Sequence, residues 1–251
     1  MEVIILGSGT AIPNIERGGP SIMVFPDYDH FLLFDLGLGT MRSLLKVGIS
    51  PGDIKEIYLT HLHPDHTSEL VPLLFAFRNP EFRRDSDLTI VGPPGFINFY
   101  KGLKNIYGKW IDEYYYRLNL AETLNKTWVR DECRIKSHEV IHTKYSLAYR
   151  IENNRNSAVV YSGDTDYCEE IIGISKRAEL LILECAHPEG MKIEGHLTPA
   201  LAGKIAEEAK VKKLILTHFY PVCKNYDLMT PCKKYFSGEV ILARDLLKIK
   251  V

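Results

Sequence analysis

The segment Thr60-His61-Leu62-His63-Pro64-Asp65-His66 sets three histidines and an aspartate within six positions, directly behind the apolar run Ile57-Tyr58-Leu59. Imidazole nitrogens and carboxylate oxygens are donors that borderline divalent metals such as zinc accept, and a site that keeps open positions can activate water. Side chains on extended backbone repeat every two residues, so His61 and His63 point to one side. Pro64 has no amide hydrogen and ends strand pairing, which frees the chain to turn Asp65 and His66 toward a second ion. The competing reading is a histidine-rich surface loop, and the density of donors in this spacing argues against it.

A two-metal centre needs more donors than one heptapeptide offers, and three further residues stand at the ends of strand-like runs. His142 closes Val140-Ile141-His142, Asp164 lies in Tyr161-Ser162-Gly163-Asp164-Thr165, and His218 follows Leu214-Ile215-Leu216-Thr217. Each also has a plain structural alternative: a sheet-edge histidine, a turn carboxylate capping its own backbone, and a core histidine.

The elements that must position these groups alternate strands with helices. Strands are expected at Glu2 to Leu6, Ser21 to Phe25 and Phe31 to Phe34, the last two a hairpin around Pro26-Asp27-Tyr28-Asp29. A helix follows Gly39 with Met41, Leu44, Leu45 and Val47 at helical spacing, Lys55 to Thr60 is the strand that delivers the cluster, and Ser68 to Phe77 is a helix. The second half adds strands at Leu88 to Val91, Glu139 to His142, Ser146 to Ile151, Ala158 to Ser162, Leu180 to Leu183, Lys213 to Thr217 and Glu239 to Ala243. Thr198 is placed to cap a helix over Pro199 to Lys210. This pattern points to a layered α/β fold with a mixed sheet, and leaves open two sheets facing each other.

At 251 residues, with 45 % apolar content, the chain suits one domain over residues 1–251. A net charge of −1 gives no global attraction to nucleic acid or anionic membrane. No apolar run approaches the ~18 residues that span a bilayer, and the N-terminus enters a strand rather than a secretion signal, so a cytoplasmic location is expected. Cys133, Cys168, Cys185, Cys223 and Cys232 are scattered, odd in number and form no C-x-x-C pair, which speaks against a disulfide framework or a structural zinc knuckle.

The sequence resembles the metallo-β-lactamase superfamily, most closely its ribonuclease Z and phosphodiesterase branch. The residues that carry the likeness span nearly the whole chain: Leu6 to Pro13, Phe34-Asp35-Leu36-Gly37, Thr60 to His66, Gly92-Pro93-Pro94-Gly95, His142, Ser162 to Thr165, Gly195-His196-Leu197-Thr198 and Leu216 to Phe219. The resemblance implies an αββα sandwich with two mixed sheets. It implies that His61, His63 and His142 hold one ion, that Asp65, His66 and His218 hold the other, and that Asp164 bridges them, with Asp35 supporting the metal loop. The ions would be two divalent cations, zinc first, with manganese or iron as alternatives. His196 would protonate the leaving oxygen, Glu184 would hold His196 or a ligand histidine in its working tautomer, and Asp65 would also orient the nucleophile. Gly-His-Leu-Thr before a helix is also an ordinary helix-entry loop. His138 and His187 match no position and count as surface or supporting residues.

The implied activity is hydrolysis of a phosphodiester, either small or at a nucleic-acid end, by a metal-dependent enzyme. A tRNA 3′-processing endoribonuclease is the close alternative, and an iron-dependent oxidoreductase of the same fold is the alternative from another class. The tRNA-processing members usually carry a long arm after the histidine matching His142, whereas here only Glu152 to Ser157 form a turn. A second RNA surface is suggested by Arg78, Arg83, Arg84, Lys101, Lys104 and Lys109 interleaved with Phe82, Tyr100, Tyr107 and Trp110; the other readings are a solvated helix face or an aromatic lid at 105–117. A homodimer is expected from the resemblance alone.

Overall fold

The computed structural model describes residues 1–27, 30–82, 84, 86–130 and 132–251. Tyr28 and Asp29 of the expected turn, and Arg83 of the suggested RNA surface, lie outside the described residues.

Fourteen strands divide equally between two sheets among the described residues. The first sheet contains β1 (Glu2–Gly7), β2 (Ser21–Phe25), β3 (Leu32–Phe34), β4 (Glu56–Tyr58), β5 (Leu88–Gly92), β6 (Leu118–Glu122) and β14 (Leu247–Lys250), in the order β14-β1-β2-β3-β4-β5-β6. The second contains β7 (Thr127–Val129), β8 (Cys133–Glu139), β9 (Leu147–Asn153), β10 (Ala158–Tyr161), β11 (Leu180–Glu184), β12 (Lys213–Thr217) and β13 (Glu239–Leu242), in the order β13-β12-β11-β10-β9-β8-β7. Each sheet is antiparallel on one side and parallel on the other, the change falling at β3 in the first and at β10 in the second.

Alternation along the strands decides which layer each side chain enters. In β1, Val3 and Ile5 join the cluster shared with Tyr149, Ile151, Val159 and Tyr161 of the second sheet, while Ile4 and Leu6 face the helices on the other side. Those helices are α1 (Thr40–Lys46), α3 (Leu70–Ala76) and α4 (Phe96–Tyr107), with the short α2 (Pro64–Thr67) between α1 and α3 in the chain; α5 (Glu169–Ser175), α6 (Pro199–Glu208) and α7 (Met229–Lys233) cover the second sheet. The parallel strand Leu180–Glu184 is covered on both faces and buried at every position, which is why its first four residues are all aliphatic. Burying each large aliphatic side chain of these layers contributes about 1.5–3 kcal/mol. The layering is that of the αββα sandwich.

Several local expectations change. The 139–142 strand ends at Glu139, leaving His142 in a turn. The expected helix from Ser68 to Phe77 is Leu70–Ala76, preceded by the separate turn Pro64–Thr67. Leu45 is 53 % exposed, because the inward face of α1 uses Thr40, Ser43 and Leu44. Thr198 occupies the N-cap of α6 without a side-chain bond; Glu189 instead accepts the Ala200 amide at 2.7 Å.

Candidate metal centre

The parallel strands β3, β4, β10, β11 and β12 end at one edge of the sandwich, and each delivers a polar residue there. Asp35 follows β3, the histidine cluster follows β4, Asp164 follows β10, Glu184 closes β11, and His218 follows β12. Carboxyl ends of parallel strands are where α/β sheets bind ligands, because loops leave there on a rigid base. Two tyrosines lock the edges together: Tyr149 donates to the Leu59 carbonyl at 3.0 Å, and Tyr161 donates to Asp35 Oδ2 at 2.9 Å.

All seven expected donors converge. His61, His63, His142 and Asp164 bring ligand atoms within 4.8 Å of one another, as do Asp65, His66 and His218. Asp164 stands between the two groups. Its Oδ2 lies 3.7 Å from His61 Nε2 and 3.6 Å from His142 Nε2, while its Oδ1 lies 3.3 Å from both His66 Nε2 and His218 Nε2. His63 Nδ1 is 3.2 Å from His142 Nε2, and Asp65 Oδ2 is 3.4 Å from His218 Nε2.

His61 Nε2, His66 Nε2 and Asp164 Oδ1 are buried without a hydrogen-bond partner. An unpaired polar atom in the interior costs about 1–3 kcal/mol, so several facing one another require a shared partner that accepts lone pairs. Divalent cations fit that requirement. Burial and the neighbouring imidazoles push His61 well down, and burial likewise lowers His142, keeping both in the neutral form that can ligate. Burial would raise the Asp164 carboxyl, but His218, His66 and His61 together hold it well below the usual range.

Backbone geometry at the centre is unusual. Asp35 and His218 hold left-handed conformations, with φ of 59° and 60°. At Gly163, φ is 57° and an added Cβ would stand 2.6 Å from Thr60 Cβ. Such strain persists where surrounding bonds over-determine it. Here Asp35, fully buried, accepts Thr60 N at 2.8 Å and faces His66 Nδ1 at 2.8 Å.

Beside the metal donors, His196 Nδ1 lies 2.8 Å from Glu184 Oε1, and the His196 ring centroid is 4.7 Å from that of His142. Glu184 is fully buried and also accepts amides of Thr165, Ala186 and Leu197. Burial opposes charge on His196, but the bond and charge of Glu184 outweigh it and raise its pKa; burial pushes Glu184 upward, with His196 pulling against it. His187, outside the donor groups, stacks on Tyr220, while His138 Nδ1 faces the Glu139 carbonyl.

Asp166 was not anticipated. Its Oδ2 accepts the Gly195 amide at 2.8 Å and Lys192 Nζ at 2.7 Å, while the Gly195 carbonyl faces His142 Nδ1 at 2.8 Å. One carboxylate therefore ties the His196 loop to the loop that follows β10. Its position two residues beyond Asp164 was the available signal.

The basic residues suggested at 78–109 divide: Lys101 and Lys109 are exposed, while three others are engaged with the protein. Arg84 is 2 % exposed and spends its guanidinium on the carbonyls of Gly52, Ile54, Ser86 and Asp87. Lys104 pairs with Asp112, and Arg78 lies over Tyr114 and donates to the Lys109 carbonyl. Trp110 and Tyr107 instead help to line an apolar groove of about 830 Å³ that borders the metal loop at Leu62 and Pro64; none of the seven metal donors lines it.

A family model described as the beta-lactamase superfamily domain matches residues 30–219, a span that holds all seven donors. The chain belongs to this superfamily. A Ribonuclease Z of Methanothermobacter thermautotrophicus is 28 % identical over 305 aligned positions, covering 100 % of this chain and 97 % of that protein. Among solved structures, the metallo-beta-lactamase fold protein YhfI from Bacillus subtilis superposes with a TM-score of 0.85 at 26 % identity, over 99 % of both chains. The short form of human tRNase Z shares the fold with a TM-score of 0.81 at 24 % identity, over 100 % of this chain and 99 % of that one. Superfamily membership and these relatives mark the chain as a metal-dependent hydrolase of the ribonuclease Z branch. No helix among the described residues is long and apolar enough to cross a membrane.

Proposed function

We propose that this hydrolase cleaves phosphodiester bonds, in small esters or at nucleic-acid ends, with two divalent ions that His61, His63 and His142 would hold on one side and Asp65, His66 and His218 on the other, Asp164 serving both groups. The observation that carries the reading is Asp164 itself, whose two oxygens face separate donor groups at 3.3–3.7 Å. When bound, a pair of divalent ions, zinc suiting these donors best, lowers the pKa of coordinated water toward about 7 and offsets charge gathering on phosphoryl oxygens.

The chain's own groups supply the rest. Glu184 occupies His196 Nδ1, which leaves Nε2 to carry the proton that the leaving oxygen needs. Asp166 and Gly195 hold the loop that aims this ring. Asp65 accepts the Ala11 amide at 3.2 Å, which restrains the carboxylate as it orients the attacking water.

A second reading, tRNA 3′-end processing, is favoured by relatives named Ribonuclease Z. Against it, β9 and β10 pair as far as Glu152 with Ala158, so the connection where an arm would emerge is a tight turn. Incubating the metal-loaded protein with bis(p-nitrophenyl) phosphate and with an unprocessed tRNA transcript tests the proposal. Chelator-sensitive hydrolysis of the small ester is expected; cleavage of the transcript at the discriminator base would promote the second reading, and hydrolysis of neither would reject both.

A further inference from the structure

We propose that the cavity beside His218 seats a single unstacked nucleobase of the substrate, with Tyr220 as its platform; this rests on the phosphodiester reading above. The cavity has a volume of about 240 Å³, and its walls include Arg17, Phe219, Tyr220, Lys224 and Tyr226. It has room for one ring system and not for a duplex. Tyr220 belongs to both places: it lines the cavity, and its ring centroid lies 6.1 Å from that of His218 and 6.3 Å from that of His196. A base resting on it would leave its own phosphate at the metal donors.

The ring plane is set from behind. His187, 8 % exposed, stacks on Tyr220 with centroids 4.7 Å apart at 21°. Arg17 is fixed in the wall by Nη1 bonds to Ser8 Oγ at 2.6 Å and the Ala243 carbonyl at 2.7 Å, with its guanidinium 4.7 Å from the Phe219 ring centre. Lys224 stands near Glu16 at 3.7 Å, so it can exchange that exposed contact for a phosphate. Aromatic faces for a base beside cations for its backbone are the combination by which proteins hold single-stranded nucleic acid.

The test compares two esters with the same leaving group, thymidine 5′-(p-nitrophenyl phosphate) and methyl p-nitrophenyl phosphate, on the metal-loaded protein. The base-bearing ester should be preferred in kcat/KM by about 10-fold or more, with the difference carried by KM, and Tyr220→Leu should remove most of that preference. Tyr226→Ala, at a residue 44 % exposed and therefore safe for folding, should reduce it as well. Equal kcat/KM for the two esters, or a preference that Tyr220→Leu leaves intact, overturns the subsite. A binding arm separates this from failure of the functional reading. Adenosine 5′-monophosphate should raise Tm more than ribose 5-phosphate in the parent protein but not in Tyr220→Leu; equal shifts in the parent overturn the subsite even if neither ester is cleaved.

Discussion

The carboxylate of Asp35 lies 2.8 Å from Nδ1 of His66, and the same oxygen accepts the Tyr161 hydroxyl at 2.9 Å. This fixes His66 with Nε2 turned toward Asp164 and joins the metal edge of one sheet to a strand of the other. Asp35→Asn preserves the size of the side chain but removes the charge and one acceptor. Metal affinity should fall by about 10–100-fold, as when the supporting partner of a ligand histidine is lost. Competition against a chromophoric chelator measures it, and parent-like affinity would show that Asp35 is merely structural.

His196 and Glu184 form the second joined pair at this edge. His196→Ala should leave metal content intact and lower turnover by about 10²–10⁴-fold, the range for lost proton transfer. Rates on an ester with a poor leaving group should suffer more than those on a p-nitrophenyl ester, whose leaving oxygen needs little help. Equal losses on the two would assign His196 to packing.

How much of this centre could be read beforehand depends on what each residue answers to. The heptapeptide and the strand-end donors were legible because ligand type and spacing are local properties, and apolar runs such as Leu180 to Leu183 marked the buried strands. Three local details answer to other parts of the chain and are not legible from their own neighbourhoods: the strand before His142 stops at Glu139, Glu189 supplies the cap expected of Thr198, and Arg84 fills a ring of carbonyls. Short edge strands such as Leu118–Glu122 bury too little to register as apolar runs.

Away from the metals, burial pushes the Glu56 carboxyl upward, but bonds from His30 and Tyr58 and the Arg130 charge win and lower its pKa to about 2. A folded-state pKa below the unfolded value of roughly 4.3 means stability present above that value and lost as pH falls toward 2. For metal-free protein, Glu56→Gln should cost about 1–2 kcal/mol at pH 7, allowing for solvent screening, and about half of that near pH 3. Urea midpoints at both pH values check this; a pH-independent difference would contradict it.

In the proposed centre Asp164 serves two ions, and metal-to-chain stoichiometry tests this most directly. After equilibration with zinc and exhaustive dialysis, elemental analysis should find about two ions per chain in the parent protein and at most one in Asp164→Ala. Fewer than two in the parent, or two retained without Asp164, would contradict the account.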